Sequence, residues 1–335
     1  MSVPLYVRRV GMCCPVGRTA LTACAAIRAG VSRRRELNYL DEHGETIIGS
    51  YASFIDTRIR DQRMVTLAAD ALHDALGEQL GWLPQYALVL AVPETVVTDR
   101  AASPQFISLL SQSVGLELDS SRLHVVKTGR RSTGLEALRL AREIVATENR
   151  DVVICAMDSL VCAKALLELV EADRLLTADN PDGVVPGEAA ACLVVSAARE
   201  QSLGVVRGIG SAEELATPDS PIPLRGQGIR KAARLALEEA RLDLHQIDFR
   251  ISDAAGESYA FKEQSLLTSM LRSRKMEFPL WLAASQLGDI GVAAGLVSLI
   301  MATCAFAYGY APGPIAIILA SSVGCSRTAV VYSKA

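Results

Sequence analysis

Eight short runs of apolar residues recur along the 335-residue chain, and most are separated by amphipathic segments of helical length. Most of these runs are almost continuously apolar, so we expect strands whose sheets are covered by helices on both faces. The predicted strands are Leu5–Val10, Tyr86–Ala91, Val152–Ala156, Ala190–Val195, Gly204–Ile209, Asp248–Ser252, Ile315–Ala320 and Ala329–Tyr332. Strands that alternate with helices predict an α/β fold.

Six segments between these runs carry helical periodicity. The predicted helices are Arg18–Ala29, Gln62–Leu80, Thr133–Thr147, Gln227–Ala240, Glu257–Arg272 and Gly291–Phe306. The last of them lies in an uncharged stretch, Gly291 to Tyr310, that is long enough to span a bilayer. Because the stretch is rich in alanine and glycine and Pro312 and Pro314 follow it, we interpret it as a buried core helix; a membrane span is the alternative.

A polar segment, Ser211–Gly228, interrupts the pattern near the middle of the chain and contains three prolines. Proline continues neither a helix nor a central strand, so this segment is interpreted as the join between two halves. We expect an N-terminal half over residues 1–203 and a C-terminal half over residues 204–335. Each half reads as strands with interleaved helices, which predicts two related βαβ-type units packed face to face.

The composition argues against several classes of protein. Half of the residues are hydrophobic and 21% are charged, which argues against disorder. The net charge of −3 offers no basic field for nucleic acid. The eight cysteines follow no metal-binding spacing, and no signal peptide is evident. We therefore expect free thiols, a cytoplasmic protein, and neither metal nor cofactor.

Four segments, in order, resemble landmarks of the β-ketoacyl synthases of the thiolase superfamily. They are Val10–Gly17, similar to that family's G-x-G-x-x-x-P-x-G turn; Gly183–Ala191, similar to G-F-V-P-G-E-G-A-A; Leu287–Gly295, similar to I-G-H-T-x-x-A-A-G; and Ala320–Arg327, similar to N-S-F-G-F-G-G. The resemblance covers nearly the whole chain. It implies a thiolase-like fold, in which two related halves form a layered αβαβα sandwich.

The same resemblance places other residues where the family has its catalytic groups. Arg131 stands at the position of the nucleophilic cysteine, Ala255 and Asp289 at those of the two histidines, and Ala284 at that of the supporting lysine. Arginine stays protonated and cannot accept an acyl group, alanine has no proton to give, and an aspartate would repel the developing negative charge. These replacements predict a pseudoenzyme with no catalytic residue.

Two interpretations of the former catalytic hollow are open. Arg131 and Asp289 can form a buried ion pair that plugs it, with Glu257 and Arg327 joining the network. Alternatively, Arg131 and Arg327 can form an anion site for a carboxylate or phosphate. The remaining candidate lining residues are Ser132, Thr133 and Cys325.

The resemblance implies a binding partner, adaptor or scaffold. The partner would be a ketosynthase-like subunit, as for a chain length factor, or an acyl carrier protein, or a secreted effector if the protein is an accessory of a bacterial secretion system. The alternative is a divergent acyltransferase or thioester hydrolase that acts on acyl-CoA or acyl carrier protein. Thiolase-fold proteins usually dimerise, and we expect a homodimer formed through the strand at Val152–Ala156.

Overall fold

The computed structural model describes residues 3–98, 101–126, 131–271, 275 and 277–335. Outside these residues lie Gly129 and Arg130, which directly precede Arg131, and Arg272, the last residue of a predicted helix. The strands of the described part are β1 (Leu5–Cys13), β2 (Arg34–Leu40), β3 (Thr46–Ser50), β4 (Ala87–Ala91), β5 (Val97–Thr98), β6 (Ala101–Ala102), β7 (Leu123–Val125), β8 (Val152–Ser159), β9 (Glu188–Ser196), β10 (Gly204–Glu213), β11 (Phe249–Ser252), β12 (Leu280–Leu282), β13 (Ile315–Ser321) and β14 (Ser326–Lys334).

The α-helices of the described part lie between these strands, as the alternating pattern predicts. They are α1 (Ala20–Arg28), α2 (Arg60–Leu76), α3 (Pro104–Val114), α4 (Thr133–Glu148), α5 (Ala163–Glu171), α6 (Gln227–Ala240), α7 (Ser258–Thr268), α8 (Ala284–Leu287) and α9 (Ala294–Ala307). A short 3₁₀ turn, Gly291–Ala293, leads into α9. Every predicted strand and helix therefore has a counterpart among the described residues.

Ten strands form one continuous sheet in the order β12-β11-β13-β14-β10-β1-β9-β8-β4-β7. The first five strands of this sheet in chain order are β1, β4, β7, β8 and β9. Numbered 1 to 5 along the chain, they have the spatial order 3-2-4-5-1 from the outer edge inward. The last five strands, β10 to β14, have the same spatial order from the opposite edge. In each set the fifth strand runs antiparallel to its neighbours. This repeat supports our proposal that the two halves divide between residues 203 and 204. The segment Ser211–Gly228, interpreted as the join, instead lies within the second repeat, from the end of β10 to the start of α6.

The helices divide into three layers around the two halves of the sheet. Helices α2 and α3 pack on the outer face of the N-terminal half, and α6 and α7 on that of the C-terminal half. Between the halves lie α4 and α9, which contact strands of both. Helix α9 is buried along its length because both of its sides face strands. No helix in the described residues is long and apolar enough to cross a membrane.

One expectation about assembly is wrong. Strand β8, at Val152–Ser159, is hydrogen-bonded to β4 on one side and to β9 on the other, so both of its edges are occupied. It cannot extend the sheet into a second copy. Among the described strands the free edges of the large sheet belong to β7 and β12, which each pair on one side only.

Candidate functional site

Tight packing between the two halves brings Arg131 to Asp289, although 158 positions separate them. Arg131 lies two residues before α4, and Asp289 lies just before the turn that leads into α9. A Cβ on Gly134 in the first turn of α4 would lie 2.8 Å from the carbonyl oxygen of Val292. Only glycine permits this approach, so the start of α4 rests directly on the turn that carries Asp289.

The Arg131 guanidinium and the Asp289 carboxylate form a buried ion pair. Nη2 of Arg131 donates to Oδ2 of Asp289, and the backbone N–H of Gly291 donates to Oδ1 over 3.0 Å. Arg131 is 8% exposed and Asp289 is 3% exposed. Burial alone disfavours the charge on Asp289, but the guanidiniums of Arg131 and Arg174 outweigh it and hold the pKa of Asp289 below its ordinary value. Both groups are therefore charged at neutral pH.

Glu257 links this pair to a second arginine. Its Oε2 lies 3.7 Å from Nη2 of Arg131, and its two oxygens accept from Nε and Nη2 of Arg174 over 2.6 and 2.7 Å. The bidentate geometry with Arg174 is that of a strong charge-assisted contact. The sequence interpretation included Glu257 but missed Arg174, which lies in the loop after α5, 83 positions away.

Arg327 belongs to a separate buried network. Its Nε donates to Glu263 over 2.7 Å, its Nη2 donates to the Tyr259 hydroxyl over 2.8 Å, and its Nη1 donates to the carbonyls of Ser322, Gly324 and Ser326. The residue is fully buried. These contacts occupy all three guanidinium nitrogens, so the geometry does not favour an anion site that uses Arg131 and Arg327 together.

Asp253 is a buried carboxyl close to both networks. Its Oδ2 accepts from the backbone N–H of Ser321 over 2.8 Å, and its Oδ1 lies 3.5 Å from the Ser252 hydroxyl. Burial raises the pKa of Asp253 to about 7, because the nearby Arg131 charge offsets only part of the desolvation. Asp253 was not among the predicted site residues.

The hydroxyl and thiol candidates lie in the loops and helix start around Arg131 and Arg327. Ser132 is fully buried, and its Oγ donates to Glu136 over 2.9 Å and lies 3.0 Å from the hydroxyls of Ser322 and Ser326. Thr133 is buried beside it, and Cys325 is half-buried in the loop between β13 and β14. No hydrogen bond between an imidazole and Ser132 or Cys325 is present among the described residues, so neither group has a histidine-activated arrangement there.

Beside Arg131 and Asp289 lies a cavity of about 530 Å³, which we call the Arg60 pocket. Its described lining residues are Arg60, Pro93, Glu94, Thr95, Arg131, Asp158, Leu160, Ala165, Glu168, Leu169, Arg174, Asp289, Gly291, Val292, Val323 and Gly324. No cysteine or histidine is among them. Arg60 and Asp158 were not among the predicted site residues; Asp158 lies in β8, two residues beyond the predicted strand Val152–Ala156.

Ala255 and Ala284 share a different hollow, of about 260 Å³. It is bordered by Gly256 and Gly288, and its described lining also carries no cysteine or histidine. The positions aligned with catalytic groups therefore fall into two neighbouring hollows, one with several charged side chains and one lined mainly by apolar residues and glycines. On the surface, Glu42, His43 and Asp179 bring ligand atoms within 4.8 Å of one another, and none of the three lines either hollow.

A scan of protein-family models finds no match to this sequence, and a search of curated proteins finds none. Solved structures match the whole chain. A type II polyketide synthase acyl-carrier protein in complex with its ketosynthase gives a TM-score of 0.79 at 13% identity over 100% of both chains. The ishigamide ketosynthase/chain length factor gives 0.73 at 18% identity over 99% of both. A ketosynthase from module 6 of the bacillaene synthase of Bacillus subtilis 168 gives 0.74 at 13% identity over 99% of this chain and 72% of that one. These matches confirm the predicted thiolase-like fold.

Proposed function

We propose that this protein is a catalytically inactive member of the ketosynthase fold that acts by binding another protein. The observation that carries the proposal is the Arg131–Asp289 ion pair beside a pocket whose described lining has neither thiol nor imidazole. Condensation needs a thiolate to hold the acyl group and donors to stabilise the carbanion. A guanidinium neutralised by Asp289 supplies no nucleophile, and the Asp289 carboxylate would repel a developing anion.

The partner that the comparisons support best is a second chain of the same fold. One matching structure is a ketosynthase/chain length factor, and another is a ketosynthase in complex with its chain length factor from Xenorhabdus doucetiae. We propose that this chain pairs through β7, whose outer edge carries no strand in the described residues. An acyl carrier protein or a secreted effector is the alternative partner, and the cytoplasm is the proposed location.

Two measurements test the proposal. Incubation of the purified protein with malonyl- and acyl-thioesters should give no condensation, decarboxylation or hydrolysis above the rate without protein. Turnover that disappears in Ser132→Ala or Cys325→Ala would refute inactivity and favour a divergent acyltransferase or thioester hydrolase.

Copurification from the native host should recover a second chain of the ketosynthase fold. Light scattering should give twice the 35.8 kDa of one chain, or the sum of the two chains where the partner differs. A mass near 35.8 kDa with no copurified protein would overturn the assembly through β7, without bearing on catalytic inactivity.

A further inference from the structure

Arg60, at the start of α2, lines the Arg60 pocket and has hydrogen-bond donors that no acceptor among the described residues fills. Its side chain is only 10% exposed, and Nη2 donates to Oδ1 of Asp158 over 2.8 Å. Its Nε and Nη1 are buried and have no acceptor among the described residues. The Glu168 carboxylate lies 3.9 Å from Nη1, beyond hydrogen-bond distance. A buried donor without an acceptor costs free energy, so an acceptor that binds to this guanidinium would be stabilised.

Asp158 compensates Arg60 only in part, because its carboxylate serves other donors. Its Oδ1 also accepts from the backbone N–H of Ser159 over 2.8 Å, and its Oδ2 accepts from that of Val292 over 3.1 Å. The other two arginines of the pocket differ from Arg60 in this respect. Arg131 contacts Asp289 and Arg174 contacts Glu257, each in a direct ion pair.

The lining of the pocket indicates which anion fits. The lining carries three arginines and four carboxylates, those of Glu94, Asp158, Glu168 and Asp289. A dianionic phosphate would be repelled by these carboxylates more strongly than a monoanionic carboxylate would. The rest of the wall is largely apolar: Pro93, Leu160, Ala165, Leu169, Val292 and Val323. A cavity of about 530 Å³ is of the size that holds small organic ligands.

We propose that the Arg60 pocket binds an aliphatic monocarboxylic acid, with the carboxylate on the free donors of Arg60 and the chain against the apolar wall. This inference goes beyond the partner role proposed above and does not require it. No covalent step is involved.

Calorimetric titration of the full chain with octanoate tests the proposal, with octan-1-ol and inorganic phosphate as comparison probes. Octanoate should bind, and octan-1-ol and phosphate should bind at least tenfold more weakly. Arg60→Gln should weaken octanoate about 10- to 100-fold, the range expected when a charge-assisted contact is lost. Arg58→Gln is the matched control: Arg58 is exposed two positions away, and its loss should leave the affinity unchanged.

A second variant keeps the test independent of any folding defect in Arg60→Gln. Glu168→Gln removes a half-exposed carboxylate that competes for Nη1, so octanoate should bind about two- to fivefold more tightly. Equal octanoate affinity in the unmodified chain and in folded Arg60→Gln would overturn the proposal, as would tighter binding of phosphate than of octanoate or no octanoate binding at millimolar concentration. Because the titration uses the isolated chain, its failure is distinguishable from failure of the partner role or of inactivity.

Discussion

Substitution of Arg131 by methionine should destabilise the protein by about 3 kcal/mol, at the lower end of the range for removing one partner of a buried ion pair. Among the described residues, the change leaves the Asp289 carboxylate, 3% exposed, with the Gly291 N–H as its remaining hydrogen-bond donor. We expect the lower end because the charge of Arg174 also stabilises ionised Asp289. Methionine fills much of the same volume, so little of the loss should come from a cavity.

The companion variants isolate the pair itself. Asp289→Asn keeps an acceptor for Gly291 and leaves Arg131 3.7 Å from Glu257, so it should cost about 1–3 kcal/mol. The double variant should cost less than the two single losses together, with a coupling energy of about 2 kcal/mol. The measurement is urea unfolding at pH 7, followed by circular dichroism at one protein concentration, since association would change the apparent stability.

Arg234→Met provides the control for a generic arginine loss. Arg234 is 61% exposed and lies 3.7 Å from Glu238 on the surface of α6, so its replacement should change the free energy of unfolding by no more than about 0.5 kcal/mol. If Arg131→Met changed stability no more than Arg234→Met, or if the coupling energy were zero, the Arg131–Asp289 pair would not be the stabilising plug that we propose for this hollow.

Three further outcomes are expected. The pKa of Asp253 rises from 3.8 to about 7 on folding, so the folded state retains a proton that the unfolded state releases, and stability falls as pH rises from about 4 to 7. Asp253→Asn should remove this loss and gain up to about 4 kcal/mol over the unmodified protein between pH 4 and pH 8, measured by urea unfolding at each pH; a constant difference would contradict it. Glu188→Gln should cost about 3–5 kcal/mol in the same assay, because both oxygens of Glu188 accept from buried Arg63 over 2.6 and 2.8 Å. A thiol reagent should label about one cysteine in the native chain, half-buried Cys325, and all eight after unfolding, counted by mass spectrometry; labelling of several thiols before unfolding would show that the core opens.

The sequence predicted the central elements better than the peripheral ones. Continuous apolar runs identify strands buried on both faces, such as β8 and β9. The edge strands β7 and β12 were missed because each has three residues and only partial burial. The hairpin of β2 and β3 was missed because β2, with the sequence R-R-E-L-N-Y-L, is mostly exposed and polar.

At the site, the resemblance to ketosynthases led us to expect an ion pair between Arg131 and Asp289, and the structure contains it. Arg60, Asp158 and Arg174 were not predicted. Each reaches the site from a different element, and nothing local in the sequence states that α2, β8 and the loop after α5 converge there. The same limit explains the wrong choice of β8 as an edge strand, since an apolar run of this kind is equally consistent with a strand in the middle of a sheet.

The glycines in the segments that resemble ketosynthase motifs have packing reasons that do not depend on chemistry. A Cβ on Gly187 would lie 2.0 Å from the carbonyl oxygen of Leu287, where the segment before β9 passes the end of α8. Gly291 has a φ of +54°, and a Cβ there would lie 2.1 Å from the Asp158 carboxylate. These glycines hold the two halves in contact whether or not a thiol and an imidazole are present. Packing alone accounts for these glycines, so the resemblance in these segments bears on the architecture, and the groups that line the two hollows bear on activity.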